Sequence, residues 1–326
     1  MGPVTDRCRV SFVGAGGVAL RHARHLSEFP DVDLVAVTDV NQKSAQAFAE
    51  DTGTAALPDL NALLDASPDA VYVCVPPHAH GDIEMSVVAA GVAVFVEKPI
   101  GIDAPTARRV AGLARERDVV TAVGHHWRYS DSVRQVREML NGQPIRLAVG
   151  SWLDKVPPPA WWAKRVLSGG QIVEQAVHVL DLIRFLAGEV DEVTAYVNAS
   201  PPGVLEADID GATAAILRLR SGAVAGVTAT CCLGWKHLAG LDLHADDLSV
   251  TIHEDRIAAR TPDGVTQRRL DPDAAKIAAD RAFVDAVLGA GRDRVLVDYS
   301  EALRTHELAC AIALSAVEKY PVRLDG

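Results

Sequence analysis

The sequence predicts an α/β fold: a doubly wound parallel sheet followed by an α+β domain with an open, mainly antiparallel sheet. Three observations predict it. The first third alternates short apolar runs with amphipathic stretches, the pattern of βαβ units. Those runs lack polar alternation, as strands covered on both faces do. Beyond Gly124 the rhythm changes to hairpin-like runs, two of them joined by the tight turn Arg220–Ser221–Gly222–Ala223.

Parallel strands are expected at Arg9–Val13, Leu34–Thr38, Ala70–Val75, Ala93–Val96 and Val119–Val123. Helices fall between them at Val18–Glu28, Gln42–Asp51, Leu60–Ala66, Asp82–Ala90 and Ala104–Arg117, with Gly53 and Gly91 where helix C-caps sit. Past Gly124, a helix Asp131–Leu140 ends at Asn141–Gly142 and leads into a strand Ile145–Trp152. The prolines of Val156–Ala160 require a loop, and one continuous helix, Gln171–Ala187, stops at Gly188. Strands Val193–Asn198, Thr213–Leu219, Ala223–Thr230, Leu241–Ala245 and Leu248–His253 follow, then helices Ala274–Leu288 and Ser300–Val317. Residues 1–124 are thus expected to form a dinucleotide-binding domain. Residues 125–326 form a substrate-binding and oligomerisation domain, whose last helices could pack back on the first.

At 326 residues, 49% hydrophobic and 23% charged, the chain has an ordinary globular composition, which excludes disorder, collagen and coiled coil. It is long enough to bury two cores without disulfide or metal staples. With 32 basic and 43 acidic side chains the net charge is −11, which argues against nucleic-acid and anionic-membrane partners. Cys8, Cys74, Cys231, Cys232 and Cys310 form no C-x-x-C pair and are expected to be reduced thiols of a cytoplasmic protein. The apolar run Val10–Leu20 superficially resembles a secretory signal, yet it holds Gly14, Gly16 and Gly17 and lacks a clean cleavage site. Other apolar stretches are too short to span a bilayer.

Gly14, Gly16 and Ala19 give the spacing G-x-G-x-x-A between a strand and a helix. Gly14 permits the tight turn, Gly16 lets backbone approach a pyrophosphate, and Ala19 allows close helix–sheet packing. The loop Gly14–Ala15–Gly16–Gly17–Val18 then offers helix N-terminal amides to phosphate. Asp39 ends the next strand, where a carboxylate accepts ribose hydroxyls and repels a 2′-phosphate. No arginine follows it, so NAD is favoured over NADP. The competing reading is an ordinary glycine turn, with Asp39 capping the helix that begins near Asn41.

Two further strand ends carry unusual chemistry: Val75–Pro76–Pro77–His78–Ala79–His80 and Glu97–Lys98–Pro99. Ligands of doubly wound sheets bind at carboxyl ends of strands. Glu97–Lys98 could be an exposed ion pair, but directly after a buried strand and before a rigidifying proline, Lys98 is expected to be presented into the crevice.

Together the glycine loop, Pro76–Pro77 with His80, Glu97–Lys98–Pro99 and the segment Gly169–His178 resemble the Gfo/Idh/MocA family of nicotinamide-dependent sugar and cyclitol oxidoreductases. The likeness runs from Val10 into the final helices. It implies a Rossmann domain plus a domain with a large open antiparallel sheet that often mediates oligomer contacts, here a homodimer or homotetramer. It implies that Lys98 and His178 are catalytic, that Glu97 touches the nicotinamide-side ribose, and that Val75, Pro76, Pro77 and His80 border the cofactor. Glu174 stands where many members carry Asp. Trp127, Arg128 and Tyr129 match the family's connector between domains, with Arg128 expected on the cofactor side. His125 and His126 depart from the commoner pattern there, and His126 is the one expected to face substrate. Trp161 and Trp162, followed by Lys164–Arg165, resemble a lid over cofactor and substrate.

On one continuous helix Glu174 and His178 would share a face and act on one bound molecule. Asp181 could orient His178 or pair with Arg184. A metal centre is not expected, because neither the Glu174/His178 pair nor His22/His25 brings a third ligand. The expected reaction is oxidation of a secondary alcohol, with His178 as general base, Lys98 steadying the developing alkoxide, and Glu174 binding a neighbouring hydroxyl or holding the histidine. Trp127, Trp152 and Trp161 could offer flat faces to a sugar ring, or merely pack the long loop. No phosphate-binding cluster exists beyond the glycine loop, so an unphosphorylated sugar, glycoside or cyclitol is expected. A redox-neutral NAD-dependent glycosidase or lyase and a non-catalytic nicotinamide-binding regulator stand as the alternatives.

Overall fold

The computed structural model describes residues 7–324, which divide into two compact units. The first unit comprises the chain up to Gly101, Pro105–Gly124 and Lys276–Leu303; the second comprises Ile102–Ala104, His125–Ala275 and the chain from Arg304 onward.

In the first unit the strands are β1 (Cys8–Val13), β2 (Val32–Thr38), β3 (Ala55–Ala56), β4 (Ala70–Val73), β5 (Ala93–Val96) and β6 (Thr121–Val123). They form one parallel sheet in the order β3-β2-β1-β4-β5-β6. Between them run α1 (Gly17–Ser27), α2 (Gln42–Thr52), α3 (Leu60–Asp65), α4 (Asp82–Ala89) and α5 (Ala104–Arg117). Strands β4 and β5 are buried at every position, as their unbroken apolar runs require. The order reverses between β1 and β4, the switch point at which a doubly wound sheet opens a crevice.

One segment departs from the linear division. Lys276–Leu303, expected in the second domain, belongs to the first unit. The reason is apolar: Tyr72 and Phe95 stack at 4.7 Å on adjacent strands, and Phe283, from the late helix Ala274–Val287, meets both edge-on at 5.5 and 5.6 Å. Arg281 of the same helix adds a bidentate bond to Asp31, at 2.7 and 3.0 Å.

The second unit carries α6 (Asp131–Leu140), α7 (Arg165–Ser168), α8 (Gln171–Glu174) and α9 (Val177–Ala187). Its strands are β7 (Leu147–Leu153), β8 (Val190–Asn198), β9 (Ala212–Leu219), β10 (Val224–Thr230), β11 (Leu238–Ala245), β12 (Leu248–His253), β13 (Arg256–Thr261), β14 (Gly264–Arg269) and β15 (Val322–Arg323). They form a nine-stranded sheet in the order β14-β13-β12-β11-β7-β10-β9-β8-β15. Strands β7 and β10 run parallel and the remaining neighbours antiparallel. The inner face packs on α9 and the last helix, Tyr299–Glu318, through Leu180, Ile183, Leu308 and Ile312. Edge strand β14 was not foreseen, because every one of its residues is exposed and it has no apolar alternation to reveal it. Among the described residues no helix is long and apolar enough to cross a membrane.

The expected continuous helix Gln171–Ala187 is broken at Gln175–Ala176, so Glu174 ends α8 while His178 opens α9. The amides of both Gln175 and Ala176 donate to the Gln171 carbonyl, at 2.9 and 3.0 Å, an i→i−5 contact that inserts one extra residue into the turn. The buried Gln171 side chain holds this turn, donating to the Trp152 carbonyl at 3.3 Å and to Gln175 Oε1 at 3.1 Å. The four residues from Glu174 to His178 therefore cross a turn between two helices and do not lie along one regular helix.

Candidate active site

At the switch point of the first unit, Gly14 donates its N–H to the Thr38 carbonyl (2.8 Å) with φ of +96°. A Cβ there would stand 2.3 Å from the Cys74 carbonyl oxygen, so glycine is required by both torsion and space. Gly16 is the N-cap of α1, with no side chain capping the helix. A Cβ at Gly16 or Gly17 would meet nothing within 4 Å. Uncapped amides beside open space are what a pyrophosphate needs. Val18 lies exposed on the same turn.

Asp39 accepts the Ala15 amide and the Asn41 amide, each at 2.8 Å. It is not the cap of α2: Asn41 is, accepting from the Lys43 amide at 3.1 Å. The carboxylate is thus fixed beside the glycine loop with lone pairs left for ribose hydroxyls. These features fit a dinucleotide. Val75 and Pro76 follow β4 half-buried, and Pro77 is buried. His80 is turned inward, its Nδ1 on Glu84 of α4, whose other oxygen accepts the Gly81 amide at 2.6 Å.

At the end of β5, Glu97 is buried, which excludes an exposed Glu97–Lys98 pair. Its Oε1 accepts from His22 Nε2 at 2.9 Å with Arg21 at 3.5 Å, and its Oε2 accepts the Lys98 amide at 3.1 Å. A Cβ on Gly124 would come within 2.8 Å of this carboxylate. The other nitrogen of His22, Nδ1, lies 2.7 Å from Asp280 Oδ1, and His25 Nδ1 lies 3.0 Å from Asp280 Oδ2. Asp280 is the third group that the sequence reading did not bring to His22 and His25; the facing atoms of all three lie within 4.8 Å. Their contacts are at hydrogen-bond length, each carboxylate oxygen facing one ring nitrogen.

Burial pushes the His22 imidazole down, but Asp280 and Glu97 outweigh it and raise its pKa to about 9. Burial likewise pushes Glu97 up, and His22 with Arg21 and Lys98 bring it down to about 2. The magnitudes agree: burial alone shifts a histidine by up to about 3–5 units, or ~4–7 kcal/mol. A charge pair near 4 Å at an effective dielectric of 20 returns about 4 kcal/mol, and His22 has two such partners.

In the second unit His178 is buried against two indoles, its ring 5.8 Å from Trp127 (15° interplanar) and 5.8 Å from Trp152 (24°), which lie 5.9 Å from each other. His126 meets it edge-on at 5.0 Å and His125 at 5.9 Å. Trp127 and Trp152, expected on substrate, therefore also wall the histidine, and Lys236 lies 5.0 Å over the Trp152 ring. Asp181 is gripped directly by Arg128 and linked to Arg184 through the Thr305 hydroxyl. It accepts from Arg128 Nε and Nη2, both at 2.7 Å, and from the Thr305 hydroxyl at 2.9 Å. Burial pushes its pKa up, but His125, Arg128 and Arg184 hold its carboxyl below the ordinary range. Arg184 also grips Glu189 at 2.9 and 3.0 Å. Arg128, expected on the cofactor, is a buried bidentate partner of Asp181 lying over Phe185.

Trp162 departs from expectation similarly. At 1% exposure it packs with Ile209 and Cys231, with Trp161 half-buried alongside, and its indole N–H donates to Glu174 Oε2 at 2.6 Å. It leaves no surface for a cofactor and instead fixes Glu174. Lys164 pairs with Glu206 at 3.1 Å and Arg165 with Asp210 at 2.8 Å, which ties down the loop read as a lid.

Residues 8–125 match the family model "Oxidoreductase family, NAD-binding Rossmann fold", and residues 133–253 match the C-terminal domain model of the same Gfo/Idh/MocA family. The chain belongs to the Gfo/Idh/MocA family. It is 33% identical over 189 residues to D-glucoside 3-dehydrogenase of Escherichia coli (strain K12), covering 55% of this chain and 54% of that protein. It is 28% identical over 225 residues to myo-inositol 2-dehydrogenase of Thermotoga maritima, covering 66% of each. These matches thus span about half to two thirds of the curated relatives' length. The WlbA dehydrogenase of Bordetella pertussis, solved with NADH and UDP-GlcNAcA, shares the fold at a TM-score of 0.89 and 22% identity, over 99% of this chain and 100% of that one. The first unit of this Gfo/Idh/MocA member is an NAD-binding Rossmann domain, which gives Asp39 a testable role. Asp39→Ser is expected to weaken NADH binding about tenfold, the scale of a lost hydrogen bond to a charged group, and to leave NADPH binding equal or tighter. Titration of nicotinamide fluorescence with each cofactor measures this; an unchanged NADH-to-NADPH ratio removes the assignment.

Proposed function

We propose that the protein is an NAD-dependent oxidoreductase that moves a hydride between the nicotinamide and a secondary alcohol or ketone of an unphosphorylated sugar, glycoside or cyclitol. The observation that carries this reading is the buried Glu97 carboxylate holding the Lys98 amide at the carboxyl end of β5, in a unit built for a dinucleotide. The glucoside and inositol named for the two curated relatives support a ring polyol as substrate.

When bound, NAD supplies the hydride acceptor at C4 of its nicotinamide. His178 takes the hydroxyl proton on a ring nitrogen. The Lys98 ammonium donates to the oxygen on which negative charge develops. Glu174, held by the Trp162 indole, accepts a hydrogen bond from a neighbouring substrate hydroxyl. Nicotinamide absorbance followed across polyols, aldoses, inositols and glycosides tests the reading. NADH formation with at least one of them is expected. Tight NAD binding without turnover of any overturns it in favour of a regulator, and product without free NADH in favour of a redox-neutral enzyme.

The outward face of the second sheet exposes Leu147, Val149, Tyr196, Ile216 and Val224 on the adjoining strands β7, β10, β9 and β8, which fits a second copy of the chain. A dimer or tetramer is expected in light scattering, and Ile216→Glu is expected to dissociate it; a wild-type monomer removes the assignment. The five free thiols, two of them buried, suit a cytoplasmic setting.

A further inference from the structure

Three side chains far apart in sequence, Asp280, His22 and Glu97, form a chain of contacts inside the first unit that ends on the carboxylate the proposed reaction needs. Both nitrogens of His22 face carboxylate oxygens, Asp280 Oδ1 at 2.7 Å and Glu97 Oε1 at 2.9 Å. Two acceptors facing one ring require a proton on each nitrogen, so the ring acts as a cationic double donor. Glu97 is held on one oxygen by this donor and on the other by the Lys98 amide. Asp280 is fully buried and also engages His25.

We propose that His22 and Asp280 are positioning residues for the catalytic turn: Asp280 keeps His22 a charged donor, and His22 fixes the Glu97 carboxylate that holds the Lys98 backbone. This rests on the reading of Glu97–Lys98 as catalytic. The chain Asp280–His22–Glu97–Lys98 links the late helix Ala274–Val287 and α1 to the end of β5, which explains why a helix so late in sequence carries a buried aspartate among alanines. His25 and Glu97 have slight solvent access, at 12% and 11% side-chain exposure, whereas His22 and Asp280 have 3% and 0%.

The charged groups facing His22 set its working range. From α1 these are Arg21 and His25, from the late helix Asp280, and from the end of β5 Glu97 and Lys98. From β4 and its end come the Tyr72 hydroxyl, held well above its ordinary value first by burial and then by Asp280, and the Cys74 thiol, raised first by burial and then by Glu97. Of these groups, the Asp280 and Glu97 carboxylates, which touch the ring, are the ones that raise the His22 pKa. The His22 pKa is raised from 6.5 to about 9, so its contribution is complete below about 6.5 and is lost as pH rises through about 9. That of Glu97, lowered from 4.5 to about 2, is complete above 4.5 and lost as pH falls through about 2.

The test compares wild type, Asp280→Asn and Lys98→Ala as full chains. In wild type, nitrogen-15 NMR of the histidines is expected to show His22 doubly protonated from neutrality to about pH 9. Asp280→Asn is expected to keep NADH affinity within about threefold while kcat on the polyol found by the nicotinamide panel falls about 10–100-fold, the range seen when a supporting hydrogen-bond partner is removed. Its alkaline limb in the kcat profile is expected to move to lower pH, and a crystal structure of the variant is expected to show Glu97 displaced from Lys98. A neutral His22 at pH 7, an Asp280→Asn enzyme with wild-type kcat and pH profile, or stoichiometric metal in the purified protein with loss of activity on chelation each overturns the proposal. If Asp280→Asn fails to fold, the wild-type NMR decides. Should neither wild type nor Lys98→Ala turn over any substrate, the functional reading fails separately, while the protonation of His22 and the place of Glu97 in Asp280→Asn still decide the positioning.

Discussion

Replacing Lys98 with alanine is expected to lower kcat by about 10²–10³-fold, the usual cost of removing one preorganised donor to a developing oxyanion. NADH affinity is expected to stay within a few-fold, because the glycine loop and Asp39 are fixed by contacts that do not involve the lysine side chain. The Lys98 backbone is tied to Glu97 through its amide, so shortening the side chain leaves the turn in place. Stopped-flow mixing of enzyme, NAD and the polyol identified by the panel separates the two effects: hydride transfer slows while the cofactor-binding amplitude is retained. Near-normal hydride transfer in this variant removes Lys98 from the mechanism.

His178→Asn is expected to cost about 10²–10⁴ in kcat, the range for loss of a positioned general base. The imidazole is enclosed by Trp127, Trp152 and His126, so this proton acceptor has one orientation and little room to relax. The same enclosure means that asparagine leaves a gap beside the paired indoles, and a stability loss of about 1–3 kcal/mol is expected alongside. Denaturant unfolding separates the two. A variant that is folded at the assay temperature, binds NADH normally and does not turn over supports the base; one that turns over normally despite the lost stability leaves His178 a packing residue. Imidazole added to the assay is expected to restore part of the rate only if the missing function is proton transfer.

Much of the first unit was legible because its signals are local. Short unbroken apolar runs such as Ala93–Val96 read as strands buried on both faces, and Gly14 stands out by its G-x-G-x-x-A spacing with Gly16 and Ala19. The glycine loop, Asp39 and the Glu97–Lys98 turn therefore stood out at the residue level. Expectations failed where a side chain had to choose between partners remote in sequence. Arg128 and Trp162 look available in a linear reading, yet Asp181 and Glu174 claim them. The helix Gln171–Ala187 reads as continuous because its residues are all compatible with helix, but Gln171 bonds to Trp152 and the turn takes in an extra residue.

Periodicity and turn chemistry, acting over a few residues, settle the α/β class, the cofactor loop and the strand-end lysine. Folding settles what those rules cannot reach. His22 and Asp280 are 258 positions apart, and nothing in the neighbourhood of either indicates the other. A buried charge is tolerated only beside its counter-charge. The partner of such a group is therefore fixed by packing, here by Phe283 seating the late helix Ala274–Val287 on Tyr72 and Phe95 and so delivering Asp280 to the histidine.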